Sequence, residues 1–337
     1  MNYADFPLSA PVNVTWEITH KCNLRCIHCL SASNEELPDE LTFEECVKVV
    51  DQLAELKVFE INFGGGEPFL KDFFLDLVRY INAKGMVTCI STNGIFLNKK
   101  IISLLANNPL IHVQVSLDGA SPETNDRIRG NGTFEKIVSG IRLLATNHIP
   151  FSINTVVTSL NCNELNRIQA LARDFGGELR ISRFRPSGRA RSSWNNLKLD
   201  KLQLDALSEW LGNHPGVLTG DSFFSISSKE RSELGLDLCG ACKMTCCIDP
   251  RGSVYPCAFL QSEDFWSGNL RMIPFKKIWD ESPVFIRFRR LEPDSCKKCP
   301  RFNVCHGGCP AVAFYINHTL NSADPECMAT WKNDTLV

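Results

Sequence analysis

The chain has 337 residues, and its 36 Lys and Arg nearly balance its 38 Asp and Glu, for a formal charge of −2. That balance argues against a dedicated nucleic-acid surface or a polybasic membrane anchor, and no apolar run approaches the ~18 residues that a membrane-spanning helix takes. Met1–Ala10 shows neither the charged nor the apolar region of a secretory signal, which sets the expectation of a cytoplasmic protein, yet 16 residues are cysteine. A chain of this length does not need disulfides to be stable, so these thiols are expected to hold metal.

Taken in chain order, Val12, Val14, Trp16 and Ile18 alternate with polar residues and predict a strand that runs into a first cysteine loop. Thr42 and Glu45 form a capping box, opening a helix with Val47, Val50, Leu53 and Leu56 on one face. Val58–Phe63 reads as a strand that stops at Gly64-Gly65-Gly66. Helices follow over Phe73–Ala83 and Lys99–Asn107, and strands over Val87–Ser91 and Ile111–Leu117. Thr133–Asn147 is helical with Phe134, Ile137, Val138, Ile141 and Leu144 on one face. Phe151–Val157 and Glu178–Phe184 are strands flanking a helix over Glu164–Phe175. Pro186–Ser193 reads as a loop or linker, and Leu199–Leu211 as a helix bridging to the C-terminal region.

Strands alternating with helices make an α/β body with a parallel sheet. A closed eight-unit barrel takes about 250 residues, so six units predict an open, partial (β/α)6 TIM-like barrel. Chemistry in such folds sits at the carboxyl ends of the strands. The Cys22 loop, Gly65-Gly66-Glu67, Ser116-Leu117-Asp118-Gly119 and the Arg183–Arg189 segment all fall there. Cys46, Cys89 and Cys162 lie inside apolar patterns and read as buried structural thiols.

Cys22-x3-Cys26-x2-Cys29 directly follows the first strand, so three thiolates within one short loop can reach one iron–sulfur cube and leave one iron open. The competing use is a zinc loop, which ordinarily wants four protein ligands. With Gly65-Gly66-Glu67 after the second strand, the pattern resembles the radical S-adenosylmethionine (SAM) enzymes. The resemblance implies a 4Fe–4S cluster on Cys22, Cys26 and Cys29, with the SAM methionine chelating its open iron. It also implies Gly65, Gly66 and Glu67 around the SAM amino group and Arg129 on its carboxylate. Ser116 and Asn154 would lie in the same cofactor pocket, and Asp118 would be a catalytic residue facing the substrate.

Near the other end, Cys296-x2-Cys299-x5-Cys305-x3-Cys309, then Cys327, with Gly252-x4-Cys257 and Cys239 upstream, resembles the SPASM extension of that family. The resemblance implies two auxiliary 4Fe–4S clusters, hence three clusters in all. Cys296, Cys299, Cys305 and Cys327 would hold the outer one. Cys239, Cys257 and Cys309 would hold the inner one, with a fourth ligand from Cys242, Cys246 or Cys247, of which the family pattern favours Cys246. The domains expected are a radical SAM core over 8–195, a bridging segment over 196–235 and a cysteine-rich SPASM domain over 236–337.

Finer features are Arg180–Arg189, Val217–Phe224, Leu238-Cys239-Gly240-Ala241 and Ile248-Asp249-Pro250 with Val254-Tyr255-x-Cys257. They are similar to the mycofactocin radical SAM maturases. This implies oxidative decarboxylation of the C-terminal Tyr of a small precursor peptide ending in Val-Tyr, then carbon–carbon bond formation to the Val. The first strand begins near Val12, so precursor recognition would fall to a separate peptide-binding chaperone, and a flavodoxin or ferredoxin would supply electrons. Arg180, Arg183, Arg185 and Arg189 suit a peptide carboxylate, because a guanidinium fork matches it. Other SPASM enzymes are the alternatives: a quinone-cofactor Glu-Tyr cross-linking maturase, a sulfatase-type maturase or a tetrapyrrole-modifying enzyme. A zinc-binding module is the non-enzymatic one.

Overall fold

The structure, a computed structural model, describes residues 8–106, 108–219, 239–300 and 302–327. Six parallel strands form the body: β1 (Asn13–Thr19), β2 (Glu60–Gly65), β3 (Val87–Thr92), β4 (Ile111–Ser116), β5 (Phe151–Val157) and β6 (Glu178–Arg183). Among the described residues the sheet has nine strands. β7 (Leu218–Thr219) joins β6, and β8 (Thr245–Ile248) and β9 (Val254–Tyr255) extend the sheet beyond β1. The sheet stays open, so the partial α/β barrel expected from the sequence is observed.

Helices cover the outer face: α1 (Phe43–Glu55), α2 (Phe74–Ala83), α3 (Lys99–Leu105), α4 (Pro122–Arg129), α5 (Thr133–Thr146) and α6 (Leu165–Asp174). The Thr42 capping box is present as expected, with Glu45 N–H bonded to Thr42 Oγ1 at 3.3 Å and Glu45 Oε2 accepting from Thr42 N–H at 2.9 Å. The buried stripe of α1 is Cys46, Val49, Val50 and Leu53, one position round from the expected face. On the sheet, Val14, Trp16 and Ile18 of β1 and Ile61 and Phe63 of β2 point into this helical layer and are all but fully buried. The opposite face of each strand looks into the barrel lumen.

The sequence reading missed three features of the body. Pro122–Arg129, read only as motif residues, is a helix. Half of the Pro186–Ser193 loop belongs to α7 (Ala190–Leu197), which precedes α8 (Lys201–Asn213). The short strand β8 pairs in parallel with β1, setting Cys246 beside Val14 and Cys247 beside Thr15. The last residues of the Val217–Phe224 motif, most of the bridging segment's C-terminal half and Leu238 lie outside the described residues.

After β9 come α9 (Phe275–Glu281), α10 (Pro283–Arg289), α11 (Phe302–Cys305) and α12 (Pro310–Asn317). This region docks on α1. Arg271 makes paired contacts of 2.6 and 2.8 Å with Glu45, the same carboxylate that closes the capping box. Phe275 N–H donates to Gln52, and Trp279 Nε1 donates to the Leu8 carbonyl at 2.8 Å. One continuous apolar core runs from Trp16 and Phe63 through Ile248 to Phe275, Trp279 and Phe285.

Candidate functional site

The carboxyl ends of the strands open into a cavity of about 340 Å3. Strand alternation decides its walls, because residues two apart share a face. Thr15 and Glu17 of β1, Asn62 and Gly64 of β2, Ser91 of β3 and Gln114 and Ser116 of β4 face inward. So do Asn154 and Val156 of β5 and Arg180 and Ser182 of β6. Several are linked across strands: Ser91 donates to Asn62, Gln114 to Ser91, and Ser182 to Asn154. The lumen is therefore lined with hydroxyls and amides around few charges.

Cys22, Cys26 and Cys29 all line this cavity, together with Gly65, Gly66 and Glu67. The two segments are strapped by backbone bonds from Gly66 N–H to Thr19 O at 2.7 Å and from Glu67 N–H to Lys21 O at 2.8 Å. The approach leaves no room for a side chain: a Cβ on Gly66 would stand 1.9 Å from the Lys21 carbonyl oxygen. Glu67 is buried and accepts from Thr92 Oγ1 at 2.7 Å and Asn93 N–H at 2.8 Å. Burial raises its carboxyl to about 7 against the pull of these donors. The cysteine loop is also held from outside. Arg189 donates to the carbonyls of Cys26, Ala32 and Ser33, its own N–H reaches Cys29 O, and Ser193 donates to Ile27 O.

Ser116, Arg129 and Asn154 line the same cavity, so the structure brings the expected cofactor-pocket residues together. Asp118 stands apart. It is fully buried behind the wall, where Oδ2 lies 2.7 Å from both Arg129 Nε and His28 Nε2, and Oδ1 accepts from Val156 N–H at 2.8 Å. Burial works against its charge, but Arg129 and His28 outweigh it and hold the carboxyl down at about 2. Arg129 in turn carries its Nη1 to 4.0 Å from Cys26 Sγ. His28, missed in the sequence, lines the cavity between two of the cysteines.

Of the four arginines, Arg183 is locked in a buried bidentate pair with Asp324, at 2.6 Å to each oxygen, and also bonds Glu326. Arg189 belongs to the cysteine loop, as above, and Arg185 lies over the Phe259 ring at 4.1 Å. Arg180 faces the lumen. It lowers the Glu60 carboxyl against the stronger effect of burial, and makes no hydrogen bond or ion pair among the described residues.

The C-terminal cysteines gather in two groups. Charge on Cys327 and Cys299 pushes Cys296 up after burial does, and the three together act on Cys305. In the second group Cys246, Cys257 and Cys239 all act on Cys242. Cys246 packs in the apolar core, whereas its neighbour on β8, Cys247, looks toward Gln261 and Glu17. Cys309 heads α12, its N–H donating to Asp324 Oδ2 at 2.9 Å.

These residues fit an iron–sulfur cluster with a chelated ligand. All 16 cysteines are free thiols. Three of them share one cavity wall, and the Gly65–Glu67 cradle admits only a closely approaching backbone. Among the described residues no three His, Cys, Asp or Glu side chains converge on one point as a single metal ion would require. A cluster takes its thiolates at separate corners.

Residues 16–168 match the model of the radical SAM superfamily, and residues 239–300 match that of an iron–sulfur cluster-binding domain, SPASM. The chain is 40% identical over 332 residues to the mycofactocin maturase MftC of Mycolicibacterium smegmatis, covering 96% of this chain and 84% of that protein. It is 30% identical to the AdoMet-dependent heme synthase of Methanosarcina barkeri, over 95% of this chain and 97% of that protein. Among solved structures, Streptococcus suis SuiB bound to S-adenosylmethionine superposes with a TM-score of 0.78 at 16% identity, covering 95% of this chain and 77% of that one.

Proposed function

The chain belongs to the radical SAM superfamily, as an enzyme with a C-terminal SPASM domain, and from that premise we propose that it matures a small precursor peptide at a C-terminal Val-Tyr. The observation that carries this reading is the single cavity in which the three loop cysteines, the Gly65–Glu67 cradle and a polar lumen meet. Higher identity to the mycofactocin maturase than to the heme synthase favours a peptide over a tetrapyrrole.

In this reading Cys22, Cys26 and Cys29 hold a 4Fe–4S cluster, Gly65, Gly66 and Glu67 seat the amino group of SAM, and Arg129 meets its carboxylate. Ser116 and Asn154 complete the cofactor pocket. Asp118 serves as a positioning residue, since it touches Arg129 and His28 and not the cavity. A cluster and SAM held by these residues would supply one-electron reductive cleavage of the sulfonium and, through it, hydrogen abstraction from the peptide. Arg180 seats the peptide carboxylate, since it faces the lumen and makes no hydrogen bond or ion pair among the described residues. The polar lumen would orient the tyrosine for oxidative decarboxylation, in which an auxiliary cluster would accept the one electron left after hydrogen abstraction and CO2 loss, and then for bond formation to valine. Cys296, Cys299, Cys305 and Cys327 hold one auxiliary cluster. Cys239, Cys257 and Cys309, with a fourth thiol from the Cys242–Cys247 loop, hold the other. A separate peptide-binding chaperone presents the precursor, and a flavodoxin or ferredoxin supplies electrons.

Anaerobic incubation of the reduced protein with SAM and a synthetic peptide ending in Val-Tyr tests this. Mass spectrometry is expected to show loss of CO2 from the peptide, and 5′-deoxyadenosine is expected to accumulate. SAM cleavage with the peptide left intact would sink the Val-Tyr assignment.

A further inference from the structure

After β9 the chain makes a tight turn at the cavity wall. Leu260 N–H bonds the Cys257 carbonyl at 3.1 Å, which leaves Ala258 and Phe259 at the tip of the turn. Both are half-buried and line the cavity, and among the described residues that line it none other comes from beyond Arg185. The tip is held in place. Leu260 is fully buried, and Gln261 Nε2 donates to Ala258 O at 3.0 Å. Ser187 Oγ stands 3.0 Å from the carbonyl oxygens of both Phe259 and Leu30, seating the tip against the cysteine loop. The Arg185 guanidinium lies 4.1 Å over the Phe259 ring. A side chain already fixed in this way loses little freedom when a ligand packs against it.

The position of the tip says what would meet it. Arg180 is level with Asn154 on β5, and Val156 is level with Ser182, one pleat nearer the carboxyl ends of the strands. Arg185, and with it Phe259, lies beyond the end of β6 at Arg183. The wall thus changes along β6 from Arg180, an amide and a hydroxyl to the apolar Val156 and Phe259. A peptide with its carboxylate at Arg180 and its chain leaving by the mouth advances about 3.3 Å per residue toward that apolar end. Its penultimate side chain is the first to reach it.

We propose that Phe259 is a specificity-determining residue, its side chain forming with Val156 an apolar subsite for the valine of the Val-Tyr terminus. This rests on the peptide-maturation reading above. In it the C-terminal region, beyond carrying cluster ligands, supplies part of the substrate wall.

The test uses the anaerobically reconstituted full chain and two synthetic peptides, one ending in Val-Tyr and one in Ala-Tyr, with Kd measured for each. Wild type is expected to prefer Val-Tyr about tenfold. Phe259→Ala should weaken Val-Tyr binding about tenfold and Ala-Tyr binding less than about threefold, so that the preference largely disappears. Phe259→Trp, which keeps an apolar ring but takes up more of the subsite, should bind Ala-Tyr better than Val-Tyr. The preference is a ratio within one preparation, so partial loss of a cluster does not imitate it. A wild type without the preference, a preference unchanged in both variants, or equal weakening of the two peptides in Phe259→Ala overturns the assignment. Wild-type protein that cleaves SAM but binds neither peptide overturns the peptide reading itself, which is a separate outcome.

Discussion

Asp118 and Glu17 are both buried carboxyls, and their surroundings send them in opposite directions. Asp118 meets Arg129 and His28, and its carboxyl falls to about 2. A depressed carboxyl contributes stability above its unfolded value of 3.8 and loses it as pH falls toward 2. Asp118→Asn is therefore expected to destabilise the protein near neutral pH by on the order of 2 kcal/mol through this effect, with the gap to wild type closing near pH 2. Glu17 lacks such partners and its carboxyl rises to about 7. Between its unfolded value of 4.5 and about 7 the folded state holds more protons, so wild-type stability declines as pH rises through that window. Glu17→Gln, which never ionises, should gain relative to wild type by on the order of 3 kcal/mol between about pH 4 and pH 8. Urea unfolding of the three proteins across pH checks both signs, and a Glu17→Gln gap that shrinks as pH rises contradicts the second. The sequence could not show this contrast. Glu17 stands on the polar side of an alternating strand, where a solvated residue and a lumen residue look alike.

At the scale of elements, the end of β6 is tied to the C-terminal segment by Arg183, whose guanidinium is shared between Asp324 and Glu326. Asp324 also receives the N–H groups of Cys309 and Glu326, so one buried carboxylate organises the chain between two expected cluster ligands. Removing one partner of a buried pair strands the other, typically at a cost of about 3–5 kcal/mol. Arg183→Ala is expected to destabilise by that amount. The triple change of Arg183, Asp324 and Glu326 to Met, Leu and Met should recover part of it. Thermal unfolding distinguishes this from a solvated basic loop, which predicts almost no change. None of the clasp was legible beforehand, because its residues stand 141 and 143 positions apart. Local signals fared better: β1 to β6 follow from apolar alternation and α1 from its capping box. Helix α4 has no apolar stripe, since Asn125 and Arg129 are buried through polar contacts, and its periodicity gave nothing to read. Strand β8 is four residues long, and it gains its identity by lying between β1 and β9.

For the whole molecule, the two cysteine zones differ in what surrounds them. The Cys22 loop sits at the mouth of the barrel, over the larger part of the shared apolar core, and is held by backbone bonds and by Arg189 and Ser193. The C-terminal zone is largely loop after α10. Described residues 291–327 carry only the short α11 and α12 and a one-turn 3-10 helix. Metal binding in such a region contributes folding free energy directly, because loops with little regular structure are ordered in part by their ligands even where Ala311, Val312 and Leu320 reach the shared core. The two zones should therefore respond differently to loss of their thiols. Changing Cys22, Cys26 and Cys29 to Ala is expected to lower anaerobic iron from about twelve to about eight per chain, abolish SAM cleavage and leave the melting temperature within about 4 °C of wild type. Changing Cys296, Cys299 and Cys305 to Ala should remove the outer cluster and open the segment after Arg289 to limited proteolysis. The barrel would remain resistant, since β8 stays paired with β1 and Trp279 stays in the shared core. Equal protease sensitivity in the two triple variants would mean that the barrel-mouth cluster supports the fold as much as the outer one does, and would contradict this division.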